Sequence, residues 1–229
     1  MERTIMAAIT CITVTCPGRE MFLEQCKKYV ARFTLQPEAH IVVSSTDFRK
    51  NIKDALGQVK TELVAFIEDD DWYAPGYLKD MVTRLTYSRR ALIGYDPTMY
   101  YHIVHKGYTI LPHKGRASLF ATVGISSILV LAYDKLYNGA DGRNFSVDIG
   151  LWNLLSDVAV TTVGHLAIGI EHGLTKTEGR GHYYPKNYWA KDENSSYLKQ
   201  LIGEDDADAY SRIIDSFIAG GPGLLPEVP

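Results

Sequence analysis

An apolar segment that runs directly into four acids is the feature of this sequence that most constrains its fold. Residues 63–67 (LVAFI) are all apolar, and Glu68, Asp69, Asp70 and Asp71 follow without a break. A short, continuous apolar run predicts a strand that is buried on both faces of a sheet. Ligands of open α/β sheets bind at the carboxyl ends of the strands. Acids that repel one another at this position therefore indicate a site for a cation.

The alternative interpretation of the four acids is a solvated turn that caps the next helix. Two features weigh against it: the acids follow the apolar run directly, and Trp72, Tyr73 and Pro75 come next and would pack the turn rigidly. Hard divalent cations take oxygen ligands, and Mg²⁺ is commonly shared between carboxylates and phosphates. The acidic run therefore predicts a divalent cation that also holds the diphosphate of a nucleotide.

Strand-like and helix-like segments alternate over the first 90 residues. Strands are predicted at residues 9–15, 40–43 and 63–67, and helices at residues 19–33, 51–59 and 75–85. This alternation predicts parallel βαβ units and an α/β fold, a Rossmann-like three-layer sandwich with a mixed, mostly parallel central sheet. Beyond residue 90 the pattern predicts strands at 91–95, 100–105, 108–111, 127–132 and 158–170, and helices at 146–155, 197–202 and 207–218.

Composition narrows the class of protein. The formal net charge of −3 provides no global basic field of the kind that draws a protein onto nucleic acid. The three cysteines have no CxxC spacing, which argues against a disulfide framework or a zinc site. No stretch approaches the roughly 18 apolar residues of a membrane span, and the short apolar run near the N-terminus lacks a cleavage-site pattern. These features favour a cytoplasmic protein without a stable membrane anchor.

The segment VKTELVAFIEDDDWYAPGYL, residues 59–78, resembles the signature of inverting, family-2-like glycosyltransferases with the GT-A fold. In that family an apolar strand ends in a D-x-D-like run, and an aromatic residue, a proline and a helix follow. The resemblance covers residues 8–85 and is weaker beyond them. It implies one GT-A domain over residues 1–229, in three parts: a nucleotide-sugar-binding half (1–90), an acceptor-binding and catalytic half (91–185) and a C-terminal helical extension (186–229).

This resemblance also implies a ligand set and roles for the acids. The donor would be a nucleotide sugar, with UDP-sugars the commonest in the family, and the cofactor would be Mn²⁺ or Mg²⁺. By position in the motif, Glu68 corresponds to the acid that faces the ribose, and Asp70 to the acid that binds the metal. Asp69, between them, is assigned to the donor site. Glu68 replaces the aspartate that is usual in the family.

Four further donor-binding residues are assigned by the same resemblance: Pro17, Arg19, Asp47 and Asn51. Pro17 and Arg19 lie where the family's first strand meets the nucleotide, although a simple strand-to-helix turn would also explain them. Asp47 is the acid nearest the end of the second strand, displaced among hydroxyl residues. Asn51 lies in a stretch, RKNIKDALGQV, that resembles the family's segment beside the nucleoside.

The resemblance places the catalytic base in the segment NFSVDIGLWNLL, at Asp148. An inverting transfer needs one base, which takes the proton from the acceptor hydroxyl as that oxygen attacks the anomeric carbon. A carboxylate in the first turn of a helix is stabilised as an anion. Ser146 is predicted to be the N-cap of this helix. The alternative is that Asp148 is simply a favourable first-turn residue.

The segment IGIEHGLTKTEGRGHYY, residues 168–184, supplies the remaining candidates. In GT-A enzymes a late histidine often completes the metal shell. His172 follows the last predicted strand and is therefore the first candidate, and His182 is the second. Neutral imidazole is a suitable additional ligand for Mn²⁺. Arg180 is assigned to the diphosphate of the donor, in a glycine-rich loop that would close over it.

The acceptor is left open between a glycan and a hydroxylated base in DNA. The segment YDPTMYYHIVHKGYTILPHKGRASLF is rich in aromatic side chains that stack on sugars or bases. The compact chain and its segment YLKQLIGEDDADAY resemble phage-encoded transferases in general character, without a specific motif. Some phage-encoded transferases add groups to modified DNA bases. Two other functions stay open as alternatives: a sugar-phosphate nucleotidyltransferase, and a nucleotide- or metal-binding module without catalysis.

Overall fold

A computed structural model gives the fold, and it describes residues 7–139, 146–173 and 189–220. Within these residues, six strands form the central sheet in the order β2-β1-β3-β8-β5-β9. The pairs β1–β2, β1–β3 and β5–β9 are parallel, whereas β8 is antiparallel to both β3 and β5. The strands are β1 Ile9–Thr15, β2 Ala39–Ser44, β3 Leu63–Phe66, β5 Leu92–Tyr95, β8 Thr122–Ile125 and β9 Ala159–Thr162.

A second, smaller sheet joins the end of the acidic run to the later part of the chain. Its order among the described residues is β11-β7-β6-β10-β4. Strand β10 lies between β6 and β4, parallel to β6 and antiparallel to β4. The strands are β4 Trp72–Tyr73, β6 Thr98–His102, β7 Gly107–Leu111, β10 Ala167–Glu171 and β11 Ala190–Lys191.

Helices cover both faces of the central sheet because side chains along each strand alternate between the two faces. Ile9 and Cys11 of β1 belong to a core that includes residues of α1, α3 and α7, whereas Ile12 belongs to a core with α2, α4 and α5. The helices are α1 Glu20–Ala31, α2 Phe48–Leu56, α3 Tyr77–Ser88, α4 Ser126–Tyr137, α5 Val147–Leu154, α6 Ser196–Ile202 and α7 Glu204–Gly220.

The predicted α/β alternation of the first 90 residues is confirmed, and so is the mixed three-layer class. The predicted strand at residues 127–132 is wrong, because this segment lies in helix α4. A short apolar run does not distinguish a strand from a buried helix by itself. Here Leu129 is buried together with Ala132 and Tyr133, which lie three and four residues after it, while Leu131 is 71% exposed. That spacing is helical.

Two further differences affect the second half of the chain. The single strand predicted at residues 158–170 is two strands, β9 and β10, which belong to different sheets. The two-residue strands β4 and β11 were not predicted, because so short a segment carries no periodic pattern. No helix within the described residues combines the length and the apolar character that crossing a bilayer requires.

His40 gives the fold a defined pH dependence. Its Nε2 lies 2.8 Å from Thr13 Oγ1, and burial lowers its pKa to about 4. Since the unfolded pKa is about 6.5, the unfolded chain takes up a proton first as the pH falls. We expect the free energy of unfolding to fall between pH 6.5 and about 4, and to fall less in His40→Gln. Urea denaturation at pH 7 and pH 5 measures this difference.

The control for this experiment is His165→Gln, at an exposed histidine. This variant is expected to keep the wild-type difference between the two pH values. Equal losses of stability on acidification in the wild type and in His40→Gln would contradict the prediction.

Candidate active site

Strands β1 and β3 are parallel neighbours, so their carboxyl ends meet at one edge of the central sheet. Thr15 ends β1, and the four acids follow β3. The Thr15 hydroxyl donates a hydrogen bond of 2.5 Å to Asp69 Oδ2. The chain then turns at Gly18, whose φ of +89° suits glycine, and Arg19 returns toward the acids.

Arg19 bridges two of the four acids. Its Nε donates to Asp69 Oδ2 at 2.9 Å, and its Nη2 donates to Asp69 Oδ1 at 2.5 Å. The same Nη2 lies 2.5 Å from Asp70 Oδ2. Arg19 is 7% exposed and Asp69 is 4% exposed, so water screens these ion pairs weakly. Bidentate pairing of this kind fixes geometry as well as charge.

The loop that carries the acids is held by hydrogen bonds to Tyr73 of β4 and to the backbone of β10. The Glu68 N–H donates to the Tyr73 hydroxyl oxygen at 2.9 Å. The Ile170 N–H donates to Asp71 Oδ1 at 2.7 Å, which ties the loop to β10. Tyr73 in turn pairs with Ala167 in the antiparallel β4–β10 ladder.

Strand β10 brings His172 to the acids. His172 follows Glu171, the last residue of that strand, and its Nε2 lies 3.0 Å from Asp70 Oδ2. Its ring stacks on Phe22 with 4.6 Å between the ring centroids. His172 is 4% exposed, and it therefore has a fixed orientation toward Asp70.

Glu68, Asp70 and Asp71 form a group that is able to hold a metal ion. Each offers one carboxylate oxygen, and these oxygens lie within 4.8 Å of one another. Among the described residues, the ion pairs of the four acids go to Arg19 and His172 and involve Asp69 and Asp70 only. Hard divalent cations prefer oxygen ligands, and a cation such as Mg²⁺ or Mn²⁺ fits this group.

Crowding of the carboxyl groups separates their pKa values. Burial, followed by the charge of Asp70, raises the pKa of Glu68 to about 8 and raises that of Asp71 well above its usual range. Burial also acts to raise the pKa of Asp70, but the charge of Arg19 and the hydrogen bond to His172 hold it well below its usual range. Asp70 is therefore the acid that stays ionised most readily.

Asp148 lies in the first turn of α5, within electrostatic reach of the acids. Its negative charge is one of the causes that raise the pKa of Glu68. Asp148 Oδ1 accepts a hydrogen bond of 2.8 Å from its neighbour Ile149 N–H. Ser146 lies at the N-cap position as predicted, but its hydroxyl donates to Asp148 Oδ1 and makes no hydrogen bond to a backbone N–H of the helix.

The other donor-binding candidates lie around the ends of β1 and β2. Asn51, which is 1% exposed, donates to the carbonyls of Ser45 at 3.2 Å and Thr15 at 3.5 Å. Asp47 is exposed and is the N-cap of α2, where it accepts from the Lys50 N–H at 2.9 Å. Pro17 is exposed beside Gly18.

The structure thus brings seven of the eleven predicted residues to the carboxyl edge of the sheet around β1, β2 and β3: Pro17, Arg19, Asp47, Asn51, Glu68, Asp69 and Asp70. His172 joins them from β10, and Asp148 approaches from α5. Arg180 and His182 lie outside the described residues. The binding and catalytic roles of these residues stay predictions.

Sequence reasoning left out several residues of the site. Asp71 was noted in the acidic run, but no role was given to it. Glu171 was not considered, although burial and the charge of Asp70 raise its pKa to about 7. Its position at the end of β10, directly before His172, is the signal that would have found it. Thr15 carried no such signal, since its bond to Asp69 joins residues 54 apart in sequence.

No protein-family model and no curated protein sequence matches the chain. Among solved structures, the fold is similar to that of TarS from S. aureus. A TarS fragment of residues 1–349 in complex with UDP aligns with a TM-score of 0.54 at 11% identity, over 71% of this chain and 60% of the fragment. The fragment in complex with UDP-GlcNAc aligns with a TM-score of 0.54 at 12% identity, over 92% of this chain and 71% of the fragment.

A longer TarS chain aligns with a TM-score of 0.53 at 11% identity, over 71% of this chain and 36% of that chain. This chain therefore spans 60% of the UDP-bound fragment and about a third of the longer TarS chain. At such identities the likeness shows the fold alone. The fold is of the GT-A type, as the sequence predicts.

Arg19 is expected to contribute strongly to stability through its buried ion pairs. Removing one partner of a buried pair leaves an uncompensated charge and costs about 3–5 kcal/mol. We expect Arg19→Met to lower the free energy of unfolding by about that amount, in urea denaturation at pH 7 without divalent metal.

Lys27→Met is the matched control, because it breaks the exposed pair of Lys27 with Glu24, where the N···O distance is 2.7 Å. Exposed pairs contribute less than about 1 kcal/mol. If the two variants lost the same stability, Arg19 would not be the counter-charge on which the acidic loop depends.

Proposed function

We propose that the protein is a metal-dependent glycosyltransferase that moves a sugar from a nucleotide sugar to an acceptor hydroxyl, with inversion. The observation that carries this proposal is the group of Glu68, Asp70 and Asp71 at the carboxyl edge of the sheet, the edge at which α/β folds bind ligands. The fold is shared with TarS, which has been crystallised with UDP and with UDP-GlcNAc. A UDP-sugar is therefore the proposed donor.

In this proposal the three carboxylates, with His172 beside Asp70, hold Mn²⁺ or Mg²⁺. When bound, the cation would neutralise charge on the diphosphate leaving group. Glu68 and Asp71 must lose their protons to act as ligands, since metal ligands bind in the deprotonated form. Their raised pKa values mean that the ionised forms are disfavoured without a nearby positive charge, which a bound cation would supply.

Asp69 and Arg19 take a different role from the other acids in this proposal. Both carboxylate oxygens of Asp69 are engaged by Arg19, and one of them also by Thr15. Asp69 thereby orients the guanidinium that faces Asp70, and Arg19 keeps Asp70 ionised. We propose that Asp69 positions the site and that Arg19 is the member of the pair that faces the donor phosphates.

Asp148 is the proposed base. Its carboxylate accepts the proton of the acceptor hydroxyl as that oxygen attacks the anomeric carbon and the bond to the diphosphate breaks. Ser146 and the Ile149 N–H both donate to Oδ1, so Oδ2 is the oxygen left for this proton within the described contacts. Attack from the face opposite the diphosphate inverts the anomeric centre.

Asp70 provides the first test of the proposed donor site. We expect Asp70→Ala to abolish Mn²⁺-dependent binding of UDP and UDP-GlcNAc, because it removes the acid that stays ionised most readily. Thermal stabilisation by each nucleotide, with and without Mn²⁺, measures this binding. The control is Asp54→Ala, at an acid on α2 that is paired with Lys50 on the surface. Unchanged nucleotide stabilisation in Asp70→Ala would refute the proposed site.

Asp148 distinguishes a transferase from a binding module. We expect Asp148→Asn to lower turnover at least about 100-fold, which is the usual contribution of a general base, while Mn²⁺ and donor binding persist. The control is Asp157→Asn, at an exposed acid just beyond α5. Release of UDP is measured with glycan acceptors and with plain and hydroxymethylated DNA, and the acceptor that supports turnover gives the acceptor class. Equal turnover in Asp148→Asn and the wild type would exclude this residue as the base.

A further inference from the structure

Helix α7 contacts Trp72, the residue directly after the acidic loop (residues 68–71), through Asp206. The indole Nε1 of Trp72 donates to Asp206 Oδ2 at 2.7 Å. Arg32 donates to the same carboxylate through Nη2 at 2.5 Å and Nη1 at 3.1 Å, and Gln25 donates at 3.5 Å. Asp206 is 8% exposed. A carboxylate from the last helix thus lies against the residue that directly follows Asp71.

Trp72 is held at both its backbone and its ring. Its backbone pairs with Ile168 in the β4–β10 ladder, and its side chain is 6% exposed with the indole N–H bonded to Asp206. Arg32, which binds Asp206, also donates to the Tyr73 carbonyl at 3.3 Å. The hydrogen bonds of Asp206 and Arg32 therefore fix the two residues at which the acidic loop leaves the site.

A second contact runs from α7 to the other side of the site. Phe217 stacks on Phe22 with 5.6 Å between centroids, and Phe22 stacks on His172 at 4.6 Å. The guanidinium carbon of Arg19 lies 5.4 Å from the Phe22 ring centroid. The Phe22 ring thus contacts both α7 and two partners of Asp70.

A buried ion network is a costly way to attach a helix. Replacing such a network with apolar side chains often leaves stability unchanged or raises it. Partners that orient metal ligands, in contrast, commonly change metal affinity by 10- to 100-fold when they are mutated. The donors to Asp206 are Gln25 of α1, Arg32 at the end of α1 and Trp72 of β4, directly after the acids. This arrangement fits a positioning role better than simple attachment.

We propose that α7 positions the acidic loop. Asp206 acts through Trp72, and Phe217 acts through Phe22. This inference rests on the proposed cation site of Glu68, Asp70 and Asp71, and it adds Asp206 and Phe217 as positioning residues for that site. Neither residue contacts the three carboxylates in the described hydrogen bonds and ring contacts. Their effect on the site is therefore indirect.

The test measures Mn²⁺ affinity by electron paramagnetic resonance of free Mn²⁺, at a temperature where circular dichroism shows every variant to be folded. We expect Asp206→Asn and Trp72→Phe each to weaken Mn²⁺ binding about tenfold, as for other residues that orient metal ligands. The double variant is expected to lose less than the product of the two single effects, because both break the same contact.

Two controls separate positioning from general loss of stability. Asp205→Asn removes the same charge from the neighbouring, exposed residue of α7, and it is expected to keep wild-type affinity. Ile213→Val trims a buried residue of α7 that is 4% exposed, and it is expected to lower stability while Mn²⁺ affinity is unchanged.

Wild-type affinity in Asp206→Asn and Trp72→Phe would overturn the positioning role, and so would an equal loss of affinity in Ile213→Val. These outcomes leave the proposed function standing as long as the wild type binds Mn²⁺. A wild type that binds no Mn²⁺ would instead overturn the cation site itself, and the positioning role with it.

Discussion

Repulsion among four consecutive carboxyl groups is the constraint around which this structure is arranged. The chain places them at the end of a buried strand, where burial makes each negative charge more costly. Arg19 offsets part of that cost by bridging Asp69 and Asp70, and His172 meets Asp70 from another strand. Glu68 and Asp71 take part in no ion pair among the described residues, and in the proposed function a bound cation would stabilise their ionised forms.

The two sheets position different parts of this site. The central sheet brings the ends of β1 and β3 together, which places Arg19 opposite the acids. The small sheet holds the far end of the acidic loop, since β4 pairs with β10 and β10 delivers His172. The acids are therefore fixed at both ends, and the separation of their pKa values follows from which acid faces which partner.

The fold class and the position of the site were predictable because both depend on local patterns. The buried strand, the acids after it and the strand–helix alternation of the first 90 residues can each be recognised within a short stretch of sequence. The partners of the acids were only partly predictable. His172 follows a strand and was selected for that reason, whereas the bonds of Arg19 to Asp69 and of Trp72 to Asp206 join residues 50 and 134 apart. Contacts at such separations leave no periodic signal. The error at α4 has a different cause, because a short apolar run fits a strand and a buried helix equally well.

The order of these segments along the chain has a consequence for synthesis on the ribosome. Trp72 is made 134 residues before Asp206. At translation rates of about 5–20 residues per second, Trp72 is made roughly 7–27 seconds before its carboxylate partner. The hydrogen bond between Trp72 and Asp206 therefore forms only after helix α7 has emerged, although the nascent chain already contains the whole acidic run.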